Sequence, residues 1–174
     1  MSSVVISGDT SGAITLAAPA VSGTNTATLP AATGTVMVSG NMPAFSAYQS
    51  SGQTINASTT TKVTFTTETF DTNNNFASST FTPTVAGYYQ VNACVSIGPV
   101  STGYIAIYKN GSEYNRGVQV SSASTVGFVV SSLIYCNGTT DYIEIYFSNQ
   151  TVAGVNTNAA ASLTWFSGSM VRGA

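Results

Sequence analysis

From residue 44 onward, apolar positions alternate with hydroxyl and amide side chains. Clusters of Gly, Pro, Asn and Ser interrupt the alternation. This is the two-residue period of half-buried β-strands separated by turns. Lys62-Val63-Thr64-Phe65-Thr66 is a short example. The longest places Tyr89, Val91, Ala93, Val95 and Ile97 on one strand face and Gln90, Asn92, Cys94 and Ser96 on the other. Ile105 and Ile107 mark the next strand, which closes at the turn Asn110-Gly111. Val126 to Tyr135 is a more continuous apolar run, the pattern of a strand buried on both faces. Ile143, Ile145 and Phe147 form the inner face of a strand from Tyr142 to Phe147, and Leu163 to Val171 closes the chain. No helical stretch of useful length occurs. Short antiparallel strands at this spacing predict an all-β sandwich or jelly roll. Its expected core includes Tyr89, Val91, Phe147 and Phe166.

Residues 1–43 differ. Val4-Val5-Ile6, Ile14-Thr15-Leu16, Ala27-Thr28-Leu29-Pro30 and Thr35-Val36-Met37-Val38 are apolar fragments cut by Gly, Pro and Ser. Each is too short for a stable element alone, and no 3.6-residue period supports a coiled coil. Their regular apolar content also argues against simple disorder. Asn41-Met42-Pro43 is the natural boundary. The expected organisation is a short, irregular β extension at 1–43 and one domain at 44–174.

Several phrases in the domain carry a family resemblance. They are Ala44-Phe45-Ser46-Ala47-Tyr48, Glu68-Thr69-Phe70-Asp71, the run from Phe81 to Val91, and Phe166 to Val171. In the third, Pro83 ends an extended piece, Gly87 permits a turn, and Tyr89 and Val91 start a core face. In the last, Gly168 allows close backbone or ring approach. In this order the phrases resemble the C1q domain, the jelly roll of the C1q and tumour-necrosis-factor superfamily. Two departures stand out: one extra residue between Pro83 and Gly87, and a longer turn from Gly138 to Asp141. The resemblance implies a non-enzymatic homotrimer that presents binding surfaces. The run from Gly12 to Val36 resembles segments of bacteriophage tail-fibre proteins that lie just upstream of a C-terminal head.

Composition narrows the partners. Charged residues make up only 6% of the chain, against roughly 25% in ordinary soluble proteins. So little charge gives little colloidal repulsion, which suits a surface covered by neighbouring subunits. Lys62, Lys109, Arg116 and Arg172 are scattered, so no basic face for nucleic acid is expected. No apolar stretch of about 18 residues predicts a membrane span. The first residues have no basic n-region and are interrupted by Asp9, so no secretory signal peptide is expected. Sequons at Asn56, Asn110, Asn137 and Asn149 are read as coincidences of an Asn-, Ser- and Thr-rich chain. Cys94 and Cys136 are expected as free, half-buried thiols, although the sequence does not fix their redox state.

The chemistry of catalysis is thin. There is no histidine, which removes Ser-His-Asp and Cys-His arrangements and the commonest zinc sites. Glu68, Asp71, Glu113, Asp141 and Glu144 show no spacing diagnostic of a glycosidase pair. Glu144, between core-facing Ile143 and Ile145, should point away from the core. Asp71-Thr72-Asn73-Asn74-Asn75 opens like a calcium loop, but Phe76 and Thr82 stand where an EF-hand needs Gly and Glu. An Asx-rich turn is expected there instead. No catalytic, metal or cofactor residue is predicted. Tyr104, Tyr108, Tyr142 and Tyr146 share the outer strand phase, as a sugar-stacking face or as an interface.

The leading expectation is a structural protein of a bacteriophage virion, a trimeric tail fibre or fibre-tip adhesin. Residues 1–43 would contact neighbouring virion proteins, and the head would bind a host-surface glycan or protein. The alternatives are a capsid decoration or head fibre with the same fold, and a secreted C1q-like binding protein. Candidate recognition loops are Asn73–Ser79, Val100–Gly103 and Thr151–Asn158.

Overall fold

The computed structural model describes residues 3–21, 23–28, 31, 33–34, 36–122 and 124–174. The chain divides into two compact units, residues 1–34 and 35–174. Ser22, Leu29, Pro30, Ala32 and Thr35 of the fibre-like run lie outside the described residues.

The first unit holds one antiparallel hairpin, β1 (Ser3–Ser7) and β2 (Ala13–Ala17), with Val4 opposite Leu16 and Ile6 opposite Ile14. Gly8 N–H donates to Gly12 O at 3.0 Å to close its turn, and Gly12 sits at φ +80°, where a side chain would be strained.

The second unit contains β3 (Ala44–Tyr48), β4 (Thr54–Ile55), β5 (Thr59–Lys62), β6 (Thr67–Asp71), β7 (Phe76–Ala77) and β8 (Thr80–Phe81). It continues with β9 (Gly87–Ile97), β10 (Val100–Lys109), β11 (Ser112–Ser122) and β12 (Val126–Cys136). It ends with β13 (Ile143–Asn149), β14 (Val155–Asn156) and β15 (Trp165–Gly173). One sheet has the order β12-β9-β15-β3-β6. The other runs β11-β10-β13-β8-β7, with β5 also paired to β13. The ribbon β14-β4 lies apart from both sheets. All pairings are antiparallel, and the two sheets form a jelly-roll sandwich.

Alternation built this core. Tyr89, Val91, Val95, Ile97, Ile105, Ile107, Ile143, Ile145, Phe147 and Phe166 are fully buried. Phe45 anchors one part of it, stacked on Phe76 at 4.9 Å and Phe81 at 4.3 Å and edge-on to Phe166 at 4.8 Å. Gly168 makes room for this cluster, since a Cβ there would lie 2.8 Å from the Phe45 ring. The turn Asn110-Gly111 has φ +53° and +77°, the two-residue geometry that matches strand twist.

Three local expectations are corrected. Val126–Cys136 is not buried on both faces within the chain: Phe128, Val130, Ile134 and Cys136 point inward, but Val129 and Leu133 are 49% and 52% exposed. Val100–Gly103 is not a turn; it starts β10, with a register break between Val100 and Gly103. Gly87 starts β9 and serves close packing, not a turn. A Cβ there would sit 2.5 Å from Arg172 O.

Residues 36–43 lie with the second unit. Met170 N–H donates to Pro43 O, Thr72 N–H to Ala44 O, and the Asn73 side-chain amide to Gly40 O. The chain therefore enters the sandwich at the end carrying the 72–75 turn.

Candidate functional site

The strongest functional feature is the outward face of the β12-β9-β15-β3 ladder. Its rungs follow from the register: Val129, Cys94, Trp165 and Tyr48; then Ser131, Asn92, Ser167 and Ser46. Leu133, Gln90 and Ser169 come next, and Tyr135, Tyr88 and Arg172 last. Arg172 is the one charge in these rungs. On the β9–β12 side the polar middle pairs within the face. The Gln90 amide donates to Ser131 Oγ at 2.8 Å, and Ser131 Oγ donates to Asn92 Oδ1 at 2.8 Å. Apolar side chains flank it: Val129 at one end, Leu133, Tyr88 and Tyr135 at the other. At its margin the Lys109 ammonium lies 5.8 Å from the Tyr135 ring centroid. A charge-poor, half-apolar sheet face with exposed Val129, Leu133, Tyr88 and Tyr135 is the kind of surface on which proteins associate.

One margin of the face is built by a close strand contact. At Gly117 on β11, a Cβ would lie 2.3 Å from Val129 O and 2.6 Å from Val130 Cβ. Only glycine lets the edge strand of one sheet meet the edge strand of the other there. A cleft of about 400 Å³ opens beside this contact, lined by Arg116, Val118, Val129, Asn92, Ser131 and Trp165. Tyr114 and Val118 on β11 are exposed and extend the apolar margin.

The opposite sheet presents a different surface. Tyr104, Tyr108 and Tyr146 lie on its outward side, but their rings are already engaged. Tyr108 stacks on Tyr146 at 4.0 Å, and the Arg116 guanidinium lies 3.7 Å above Tyr104. Burial raises both the Tyr108 and Tyr146 hydroxyl pKa values, and the Glu113 and Glu144 carboxylates add to the two shifts respectively. Glu144 faces outward as expected, yet it is covered: Lys62 Nζ sits 2.6 Å away and Thr80 Oγ1 donates at 3.0 Å. Arg116 pairs with Glu113 at 3.0 Å, and Lys109 with Asp141 at 2.9 Å. These carboxylates are tied into separate ion pairs and converge on no common cleft.

The Asp71 loop is an Asx-type turn. Asp71 Oδ1 accepts from Asn73 N–H and Oδ2 from Phe76 N–H, so both oxygens serve the backbone. Cys94 and Cys136 are both free: Cys94, opposite Val129, is half-buried as expected, whereas Cys136, opposite Gly87 at one end of the β9–β12 ladder, is fully buried because it points into the core. Burial raises the Cys94 thiol and pushes Cys136 up to about 11, although Lys109 opposes the latter. Neither is primed as a nucleophile.

Asn73–Ser79 lies at the end where the chain enters, whereas Thr151–Asn158 lies at the far end. The far end also holds residues 50–58, 98–103 and 124–126, since Ile97 faces Val126 and Asn149 faces Gly103 and Thr59. Residues 50–61, 97–103, 117–127 and 148–165 contain no Asp, Glu, Lys or Arg. Buried amides and hydroxyls hold these loops. The Asn149 amide donates to Asn56 O at 3.0 Å and Ala153 O at 2.9 Å, and Thr157 Oγ1 donates to buried Gln49 Oε1. Val152, at the tip, is 98% exposed. The sequence placed Thr151–Asn158 among the loops but gave no sign of which end it occupied.

Solved structures decide the fold. Murine APRIL superimposes with TM-score 0.60 at 10% identity, covering 75% of this chain and 99% of that one. The globular domain of zebrafish complement 1qA protein gives 0.54 at 17% identity, covering 76% and 99%. The domain is a TNF/C1q-like jelly roll. The vertex protein P5 of phage PRD1 shares this jelly-roll likeness at TM-score 0.50 and 14% identity, covering 75% of this chain and 96% of that one. No protein-family model and no curated protein sequence matches the chain. At these identities the likeness is one of fold, and function must come from the surfaces of this jelly roll.

Proposed function

We propose that this chain is a structural protein of a bacteriophage virion, a homotrimeric tail fibre or fibre tip. In this reading the C1q-like head, residues 44–174, binds the host surface, and residues 1–43 join it to neighbouring virion proteins. The observation that carries the reading is the uncovered face of β12, β9 and β15. It is too apolar at Val129, Leu133, Tyr88 and Tyr135 to stay wet at high local concentration, and it bears one charge. Copies of the same chain supply a matching, charge-poor surface. The fibre-like run in residues 12–36 and the fold shared with the PRD1 vertex protein support a virion setting. Recognition falls to the far-end loops, where rigid bracing presents amides, hydroxyls and Val152. An uncharged loop end suits a neutral partner such as a glycan more than a strongly charged one.

The PRD1 likeness also favours a second reading, a capsid decoration or head fibre with the same trimeric head. Purified particles distinguish the two. Gold-labelled antibody against the head should mark the tail, and particles lacking the protein should lose host adsorption. Label on the capsid with unchanged adsorption would establish the second reading. Absence of the protein from particles would refute both.

A further inference from the structure

The hairpin of the first unit has an uncovered face of its own. Val4, Ile6, Ile14 and Leu16 share that face and are between 55% and 67% exposed. The other face carries Ser7, Ala13, Thr15 and Ala17, with Val5 as its one large apolar residue. A lone two-stranded hairpin is marginal in water. Four aliphatic side chains on one side therefore require an apolar cover.

Two observations favour further copies of this chain as that cover. The hairpin's only charge is Asp9, in the turn and off this face, so the face carries no charge pattern with which to select a foreign protein. Each hairpin is also tethered to its own head by the chain leading to Ala44. Once heads associate, such tethering raises the effective concentration of hairpins to roughly millimolar, so a contact weak between free hairpins forms within the assembly. We propose that the three hairpins of one trimer pack their Val4, Ile6, Ile14 and Leu16 faces together, making a small apolar stalk core that exists only in the assembly. This rests on the trimeric reading above. It leaves the mixed outer faces, with Val5 and Thr15, for neighbouring virion proteins.

Adjacent positions on opposite faces provide the test. In the full-length chain, Ile14→Cys and Leu16→Cys place thiols on the apolar face, while Thr15→Cys and Ala17→Cys place them on the other. The unsubstituted chain controls for Cys94 and Cys136. Each variant is sedimented and then oxidised mildly, and interchain cross-linking is followed on non-reducing gels. The expected result is cross-linking about tenfold or more faster from positions 14 and 16 than from 15 and 17, at a rate independent of dilution while the trimer persists. Equal rates from both faces, or no cross-linking from 14 and 16 in chains that sediment as trimers, would overturn the hairpin packing and leave the trimeric head standing. Sedimentation of the unsubstituted chain as a monomer would overturn both.

Discussion

Tyr88 and Tyr135 stand opposite each other across the β9–β12 ladder, ring centroids 5.4 Å apart, on the side of the sheet that the chain leaves open. They remain 39% and 41% exposed. Large aromatic rings with a polar tip are favoured where one surface covers another, because they bury area at little entropic cost. Their neighbour Leu133 repeats the pattern. In the proposed trimer this pair lies in the contact between copies.

Leu133→Asp should weaken trimer formation without unfolding the head. Leu133 is half exposed in the single chain, so the monomer loses little. At an interface, burying its exposed half contributes roughly 1–1.5 kcal/mol per site, and a carboxylate placed there adds a desolvation cost. Sedimentation should show a lighter species, with the circular-dichroism spectrum of the sheet retained. An unchanged trimer would move the interface away from β12.

Phe166→Ala should cost about 3–5 kcal/mol, the range for removing a buried aromatic. Phe166 is fully buried, with Phe45 at 4.8 Å, Phe65 at 5.5 Å and Phe76 at 5.9 Å. Denaturant unfolding of the isolated variant measures this, and a midpoint shifted by only a few tenths of a molar would be inconsistent with that packing.

Gly117→Ala should destabilise the β11–β12 margin specifically. The added methyl meets backbone oxygen and the Val130 branch, neither of which can swing aside. The expected cost is roughly 1–3 kcal/mol, as for overpacking. It should appear in hydrogen exchange as faster opening of β11 and β12 than of β3 and β15. Uniform protection across both sheets would contradict the close contact.

Asp141 gives a pH signature. Its carboxyl is held below the ordinary range, first by the Asn110 amide and then by the Lys109 ammonium. A lowered folded pKa contributes stability above the unfolded value of about 3.9, and that contribution fades as pH falls through the folded pKa. Asp141→Asn should therefore cost stability at neutral pH, and the gap from wild type should narrow below about pH 4. Unfolding curves from neutral pH down to about pH 2 follow this directly. A gap of constant size over that window would mean that the Lys109–Asp141 pair does not act in the folded state.

The buried half of the sandwich was legible because period-two alternation determines which residues face inward. Tyr89, Val91, Phe147 and Phe166 follow from it directly. Strand direction and loop ends were not legible, since pairing order is a long-range property. The 72–75 turn and the 151–158 loop look alike in sequence but lie at opposite ends. Gly117 is not legible in the sequence, because a glycine required for close strand approach has no local signature. Val126 to Tyr135 shows the opposite case. Its apolar run predicted burial on both faces, and one chain covers only one of them. In the proposed trimer a neighbouring copy is the second cover, which would account for the excess of apolar residues.

The most direct test is the mass of the full-length protein in solution at micromolar concentration, by sedimentation equilibrium or native mass spectrometry. The open face of β12, β9 and β15 predicts a closed trimer of the 17.8 kDa chain. A stable monomer at that concentration would contradict the account.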